Sequence, residues 1–297
     1  MLSLFVFGVL VTLCQGLGTS DCGRAVIAPE LDAGDRVVGG REAVPGSWPW
    51  HAGIHYPPAQ STDDSLYLCG AALIDDQHVL TAAHCVATLH PLLTRIHLGS
   101  HQRVIKDDSQ VELEVEHMCM HRDPLKDIAI IKFKEKVKLV NQIQPACLPK
   151  TGDELKENDT VYATGWGRTD EWEPTSLSQK LKQAELQVLS SERCNRDFRP
   201  ADKPAPDYAI CTSRVYGSVC KHDSGGPLVQ RSTDGRWVLQ GILYLGPALC
   251  SSPDRALLFM STAKLESWLR EYERVEDDQV QLLEFCDIAP NSTRLFL

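Results

Sequence analysis

Beyond its first residues, this chain of 297 has no apolar run of the roughly 18 residues that a helix needs to cross a bilayer. Its body therefore contains no membrane span. Positive charge is scarce as well. The chain carries 30 Lys and Arg against 40 Asp and Glu, a formal charge of -10, so it lacks the basic face that a nucleic-acid partner requires. No two cysteines form a C-x-x-C pair, which leaves a structural zinc site without a ligand clip to start from. Internal repeats, low-complexity tracts and phosphate-cradling loops are missing too.

What the chain does have is enough apolar material, 43% of residues, to bury one large core or two modest ones. Short β-branched or alternating segments recur, broken by Gly, Pro and Asp. "HVLTAAH", "RIHLG", "VELEVEH", "DIAIIKFK", "TVYATGWG", "ELQVLS" and "WVLQGILYL" all read as strands. Helical periodicity is confined to a brief stretch around "SSERC" and to "AKLESWLREYERV". In the latter, Leu265, Trp268, Leu269 and Tyr272 share one face at i, i+3, i+4, i+7. Many short strands and a closing helix predict an all-β barrel or sandwich, and pattern alone does not choose between them.

The first 18 residues read as a secretory signal: "LSLFVFGVLVTL" is too short to span a bilayer, and "CQGLG" supplies small residues for cleavage. The usual basic leader is absent, leaving only the amine of Met1; the competing reading is a buried N-terminal strand. Sequons at Asn158-Asp159-Thr160 and Asn291-Ser292-Thr293 fit a secreted, extracellular chain. So does the cysteine count. Losing Cys14 with the leader leaves ten of the 11, an even number suited to disulfides.

Three motifs carry chemistry. "LTAAHC" places His84 at a strand end beside Cys85, with Cys69 a short loop upstream. "DIAIIK" sets Asp127 at the head of an apolar strand, and "HDSGGP" sets Ser224 among glycines, where a backbone can approach a substrate closely. Each alone is weak, since most of the ten histidines are bystanders and Asp before an apolar strand is common. Their order and contexts together are specific. From Val37 to about Arg274 the chain resembles the chymotrypsin-like (trypsin-fold) serine protease family. "GSWPW", "QPACLP" and "GWGRT" stand where family members carry their counterparts.

The resemblance implies two perpendicular six-stranded antiparallel β-barrels with a C-terminal helix and an active site in the cleft between barrels. It makes His84 the general base, Asp127 its orienting partner and Ser224 the nucleophile. A serine hydroxyl needs such help because it is a poor nucleophile until an imidazole takes its proton. "DRVVGG" looks like an activation junction: a propeptide of residues 19–36 would be cut after Arg36, freeing the amine of Val37 to pair with Asp223. Cys69–Cys85, Cys194–Cys211 and Cys220–Cys250 are the disulfides implied, with Cys22–Cys147 tethering the propeptide. Cys119 and Cys286 are left over, either to bond each other or to leave Cys286 for another chain. Implied partners are protein or peptide substrates, an activating trypsin-like protease and protein inhibitors. Ser100 stands where calcium-binding relatives carry their first acidic ligand, so neither metal nor cofactor is expected. The acidic extension from Val275 to Leu297 reads as a surface addition.

Several residues depart from the family pattern. The oxyanion hole is formed by the N–H groups of Ser224 and of the residue two before it, where glycine is usual and this chain has His222. Tyr244 replaces a serine that supports the catalytic aspartate, and Leu245 a groove-lining tryptophan. In the primary specificity pocket the floor falls at Ser218 and the walls at Gly246 and Leu257, the last replacing a glycine. Two functions follow: a secreted endopeptidase that cleaves after small or medium aliphatic residues, or a pseudoprotease that binds or regulates.

Overall fold

A computed structural model describes residues 21–31, 40–57, 66–150, 153–170, 172–173, 175–197, 204–216, 219–246 and 256–288. The alternating segments close into two antiparallel six-stranded barrels. The first contains β2 (His51–Tyr56), β3 (Leu66–Leu73), β4 (His78–Thr81), β5 (Arg95–Leu98), β6 (Val111–Met120) and β7 (Ala129–Phe133). β6 pairs with β7 to shut it. The second contains β8 (Thr160–Gly165), β9 (Lys182–Val188), β10 (Ala209–Tyr216), β11 (Pro227–Arg231), β12 (Trp237–Leu245) and β13 (Leu257–Ser261), and β8 pairs with β9 to close the ring. A short β1 (Arg41–Glu42) adds to β9, and β14 (Asp287–Ile288) adds to β6.

β6 illustrates how sequence becomes barrel. Glu112, Glu114 and Glu116 face solvent while Val115 and His117 are buried, the period of 2 that puts alternate side chains on opposite faces. β7 shows no such alternation, because both of its faces are covered. The tryptophans of "GSWPW" pack into the core, where Trp48 meets Trp237 edge-on at 4.9 Å and its ring N–H donates to Gln183 Oε1 at 3.0 Å. Cys22–Cys147, Cys69–Cys85 and Cys194–Cys211 are bonded as the resemblance implied, and Cys119 is bonded to Cys286. Cys220 is also in a disulfide, while Cys250 lies outside the described residues.

Among the described residues the helices are α1 (Ala83–Val86), α2 (Ser191–Asp197), α3 (Glu266–Val275) and α4 (Gln279–Phe285). The expected face of α3 is the buried one: Trp268, Leu269, Tyr272 and Val275 turn inward. α1 and α4 were not visible in the sequence, the first being a single turn and the second too short to display a period. The extension after α3 is thus packed structure as far as Ile288.

α3 seats on the first barrel through a buried polar network. His78 Nδ1 lies 3.0 Å from Asp75 Oδ2, and its Nε2 lies 2.8 Å from Glu276 Oε2. Lys132 of β7 reaches Asp277 at 3.1 Å and Glu276 at 3.6 Å, and His117 Nε2 meets the Tyr272 hydroxyl at 2.8 Å. Burial disfavours a charge on His78, but hydrogen bonds to Asp75 and Glu276 outweigh it and push its pKa up to about 9, from 6.5.

A pKa raised on folding means stability that is complete below pH 6.5 and lost as pH rises through 9. Chemical denaturation should show a decline of about 3 kcal/mol across that window. His78→Gln should flatten it. An equal decline in the variant would assign the effect to another group.

Candidate active site

The register of β4 on β7 assembles the first half of the site. Thr81 pairs with Ala129, so the chain leaving β4 and the chain entering β7 meet on one rim of the barrel. α1 then turns His84 over that rim, and Asp127 precedes β7 on the same side. Asp127 Oδ2 accepts from His84 Nδ1 at 2.5 Å, and Oδ1 accepts from the His84 backbone N–H at 2.8 Å. Holding the Nδ1–H in this way fixes the tautomer and leaves Nε2 as the ring's acceptor. Cys85 Sγ lies 3.7 Å from that nitrogen. Cys69, His84 and Cys85 cluster closely enough for a metal, but both sulfurs are spent in their disulfide.

Ser224 comes from the loop before β11 and is docked through main-chain bonds. Its carbonyl accepts from Gly70 N at 2.9 Å, and Gly225 N donates to Leu243 O at 2.7 Å. Gly225 has φ +79°, and a β-carbon there would lie 2.2 Å from Thr81 Oγ1. Only glycine allows the serine loop to lie against the end of β4, three residues before His84. The Ser224 hydroxyl makes no hydrogen bond to His84 among the described residues, as is common before substrate tightens such a site.

His222 adopts φ +75°, the left-handed conformation that glycine would adopt without cost. The histidine thus retains the glycine conformation. Its half-buried imidazole donates from Nδ1 to Leu68 O at 3.3 Å. Burial lowers its pKa, the Leu68 bond opposes this, and Arg168, Arg103 and Lys221 lower it further, so the ring is neutral at pH 7. The N–H groups of His222 and Ser224 are not spent on hydrogen bonds within the described residues. Leu68 escaped the sequence reading because it acts through its carbonyl, which no side-chain pattern reveals.

Asp223 is buried, and its carboxylate accepts from the N–H groups of Cys220 and Gly167, each at 2.7 Å. Burial pushes its pKa up to about 6 against the pull of those two donors. Beside it is a small opening lined by Gly165, Gly167, Lys182, Ala184 and Val219. A β-carbon on Gly165 or Gly167 would collide with the carboxylate.

The trypsin family model matches residues 37–269. Chymotrypsin-C of Rattus norvegicus is 34% identical over 273 residues, covering 90% of this chain and 98% of that protein. Chymotrypsin-C of Mus musculus matches to the same extent, and that of Bos taurus is 31% identical over 276 residues, 85% and 93% of the two chains. The chain belongs to the trypsin family of serine proteases.

The remaining residues singled out within that family frame fall as follows. Leu257 is fully buried beside Val219, Leu243 and Phe259, and its Cδ2 lies 3.7 Å from where a β-carbon on Gly246 would stand. The Leu257 side chain thus packs toward the Gly246 wall. Leu245 is exposed. Tyr244 is half-buried and its pKa is raised by burial and by the nearby Tyr208 and Asp127, yet it makes no hydrogen bond to Asp127. Tyr208, not singled out in the sequence, donates its hydroxyl to Leu125 O at 2.8 Å, two residues before Asp127. Asn158 is exposed in the turn before β8. Arg36, Val37, Ser218 and Asn291 lie outside the described residues.

The backbone at His222 yields a stability test. Its β-carbon costs roughly 1–2 kcal/mol in the left-handed region. His222→Gly and His222→Ala both lose the Leu68 bond, but only glycine relieves the backbone. Glycine should be the more stable of the two by about 1 kcal/mol in urea titrations, the opposite of the usual order. Equal stabilities, or alanine ahead, would mean that the loop relaxes away from positive φ.

Proposed function

We propose that this protein is a secreted serine endopeptidase, made as a zymogen and acting through His84, Asp127 and Ser224. The observation that carries the reading is the two-point contact of Asp127 with His84 on the rim against which the Ser224 loop docks. His84 Nε2 takes the Ser224 proton as the hydroxyl attacks the scissile carbonyl, and later returns it to the leaving amine. Asp127 holds the imidazole and stabilises its charged form. The N–H groups of His222 and Ser224 receive the oxyanion. Four disulfides and the leader of residues 1–18 support export, and exposed Asn158 suits a glycan.

Zymogen control follows from Asp223. A buried carboxyl whose pKa is held near 6 is paired with no cation among the described residues. Cleavage after Arg36 would supply one as the amine of Val37, locking the loop that carries His222. Cys22–Cys147 would keep the released propeptide attached. A leucine at the 257 wall, and the absence of a carboxylate at Ser218, favour Ala, Val or Leu before the scissile bond over Phe, and far over Arg.

Leu257 and the half-buried His222 ring also favour a second reading, a pseudoprotease that binds or regulates. A fluorophosphonate probe separates the two. Trypsin-treated protein should be labelled at Ser224 and begin at Val37; Ser224→Ala should abolish labelling, and Arg36→Gln should prevent activation. No labelling of correctly cleaved protein would establish the second reading. Because His222 keeps the glycine conformation, His222→Gly should raise turnover by less than about tenfold, well short of the 10²–10³ that loss of an oxyanion donor costs. A peptide library dominated by cleavage after basic residues would overturn the pocket assignment.

A further inference from the structure

The chain after α3 returns to the loop that carries Asp127. That loop, residues 121–128, links β6 to β7. Its own ties are His121 N to Ile128 O, Lys126 N to Asp123 O, Leu125 N to Asp123 Oδ1 and Asp123 N to His121 Nδ1, each 3.0 Å, and Ile128 N to Lys126 O at 2.8 Å. Among the described residues the Asp127 carboxylate meets only donors from His84, and Tyr244 gives it no hydroxyl bond. The position of Asp127 therefore depends on what holds the backbone around it. Tyr208, just before β10, holds Leu125 O, and residues 276–288 hold the start of the loop from outside. β14 pairs with Met120 and Cys119 at the end of β6, and Cys286 is bonded to Cys119. Arg122 Nη2 donates to Leu283 O at 2.7 Å. The His121 ring lies 5.3 Å from Trp268, which stacks on Phe285 of α4.

The other end of this segment is anchored to the neighbouring strands. Glu276 meets His78 at the start of β4, and Asp277 meets Lys132 of β7. Asp278 then caps α4 by accepting from the N–H groups of Val280 and Gln281. One short stretch thus touches the strand that leads to His84, the strand that follows Asp127 and the loop that carries Asp127. We propose that residues 276–288 form a strap that keeps Asp127 in register with His84, with Arg122, Cys119 and Cys286 as positioning residues for the reaction. The proposal rests on the reading of Asp127 as the residue that orients His84.

The test uses the full chain after trypsin treatment, with three variants: Cys119→Ala with Cys286→Ala, a stop after Val275, and Arg122→Ala. The exposed Arg122 lies outside the core, so its variant decides the matter if the other two fail to fold. Loss of the aspartate's role altogether costs about 10⁴ in kcat, so a loosened strap should cost tenfold or more, with KM changed by less than about threefold. The dependence of kcat/KM on pH should depart from that of the wild type. The low-field proton resonance of the His84 Nδ1–H should broaden or vanish, a readout that needs no turnover. Folded variants that melt earlier but keep wild-type kcat, pH profile and resonance would reduce the strap to a stabilising element and overturn the proposal. Asp127→Asn with the strap intact separates the two claims. If it leaves rate and resonance unchanged, the assignment of Asp127 itself fails, whatever the strap variants do.

Discussion

The pairing of Thr81 with Ala129 is the constraint on which the site depends. Because β4 and β7 run antiparallel, that one register brings the outgoing end of one strand beside the incoming end of the other. A slip of one residue would exchange the side chains that face the barrel core with those that face away from it. It would also part His84 from Asp127, whose two contacts need both chains at the same height on the rim. The register is held by burial on both faces of β7, which has barrel core on one side and α3 on the other. Lys132 is tolerated there because its ammonium reaches carboxylates at the helix end.

The second barrel contributes a loop rather than a strand. Its geometry is set by a run of close backbone approaches: Gly225 against Thr81, and Gly165 and Gly167 against the Asp223 carboxylate. These leave little freedom at position 222, which turns left-handed although its side chain opposes it. The imidazole recovers part of that cost through Leu68 O. The departure from glycine is thus absorbed locally, with the backbone in the left-handed conformation that glycine favours. Leu257 is a different kind of departure, since it fills space that a glycine would leave open.

The C-terminal segment joins these features to the rest of the molecule. Trp268 and Tyr272 bury the helix against the barrel, while His78, Glu276, Lys132 and Asp277 place paired charges under its end. Buried polar groups of this kind are costly unless fully partnered, and so they favour one seating over its neighbours. The disulfide between Cys119 and Cys286 fixes the same seating covalently.

Much of this could be read from the chain. The alternation of β6, the helical face of α3 and the three motifs around His84, Asp127 and Ser224 are local patterns that follow from side-chain period or from residue type beside glycine and cysteine. β7, by contrast, has no alternation to read, because its burial on two faces is supplied by elements far away in sequence. α4 is too short for a period, and the partner of Cys119 stands 167 residues away, so spacing could not choose it. Leu68 acts through a carbonyl, and Tyr208 reaches a backbone oxygen across 83 positions. The amino-acid sequence by itself determined the kind of fold, the family and the motifs in which His84, Asp127 and Ser224 stand. Only the tertiary structure decided how the 222 backbone turns, what fills the space beside Gly246, and what braces the Asp127 loop, because each depends on contacts between segments that no local pattern connects.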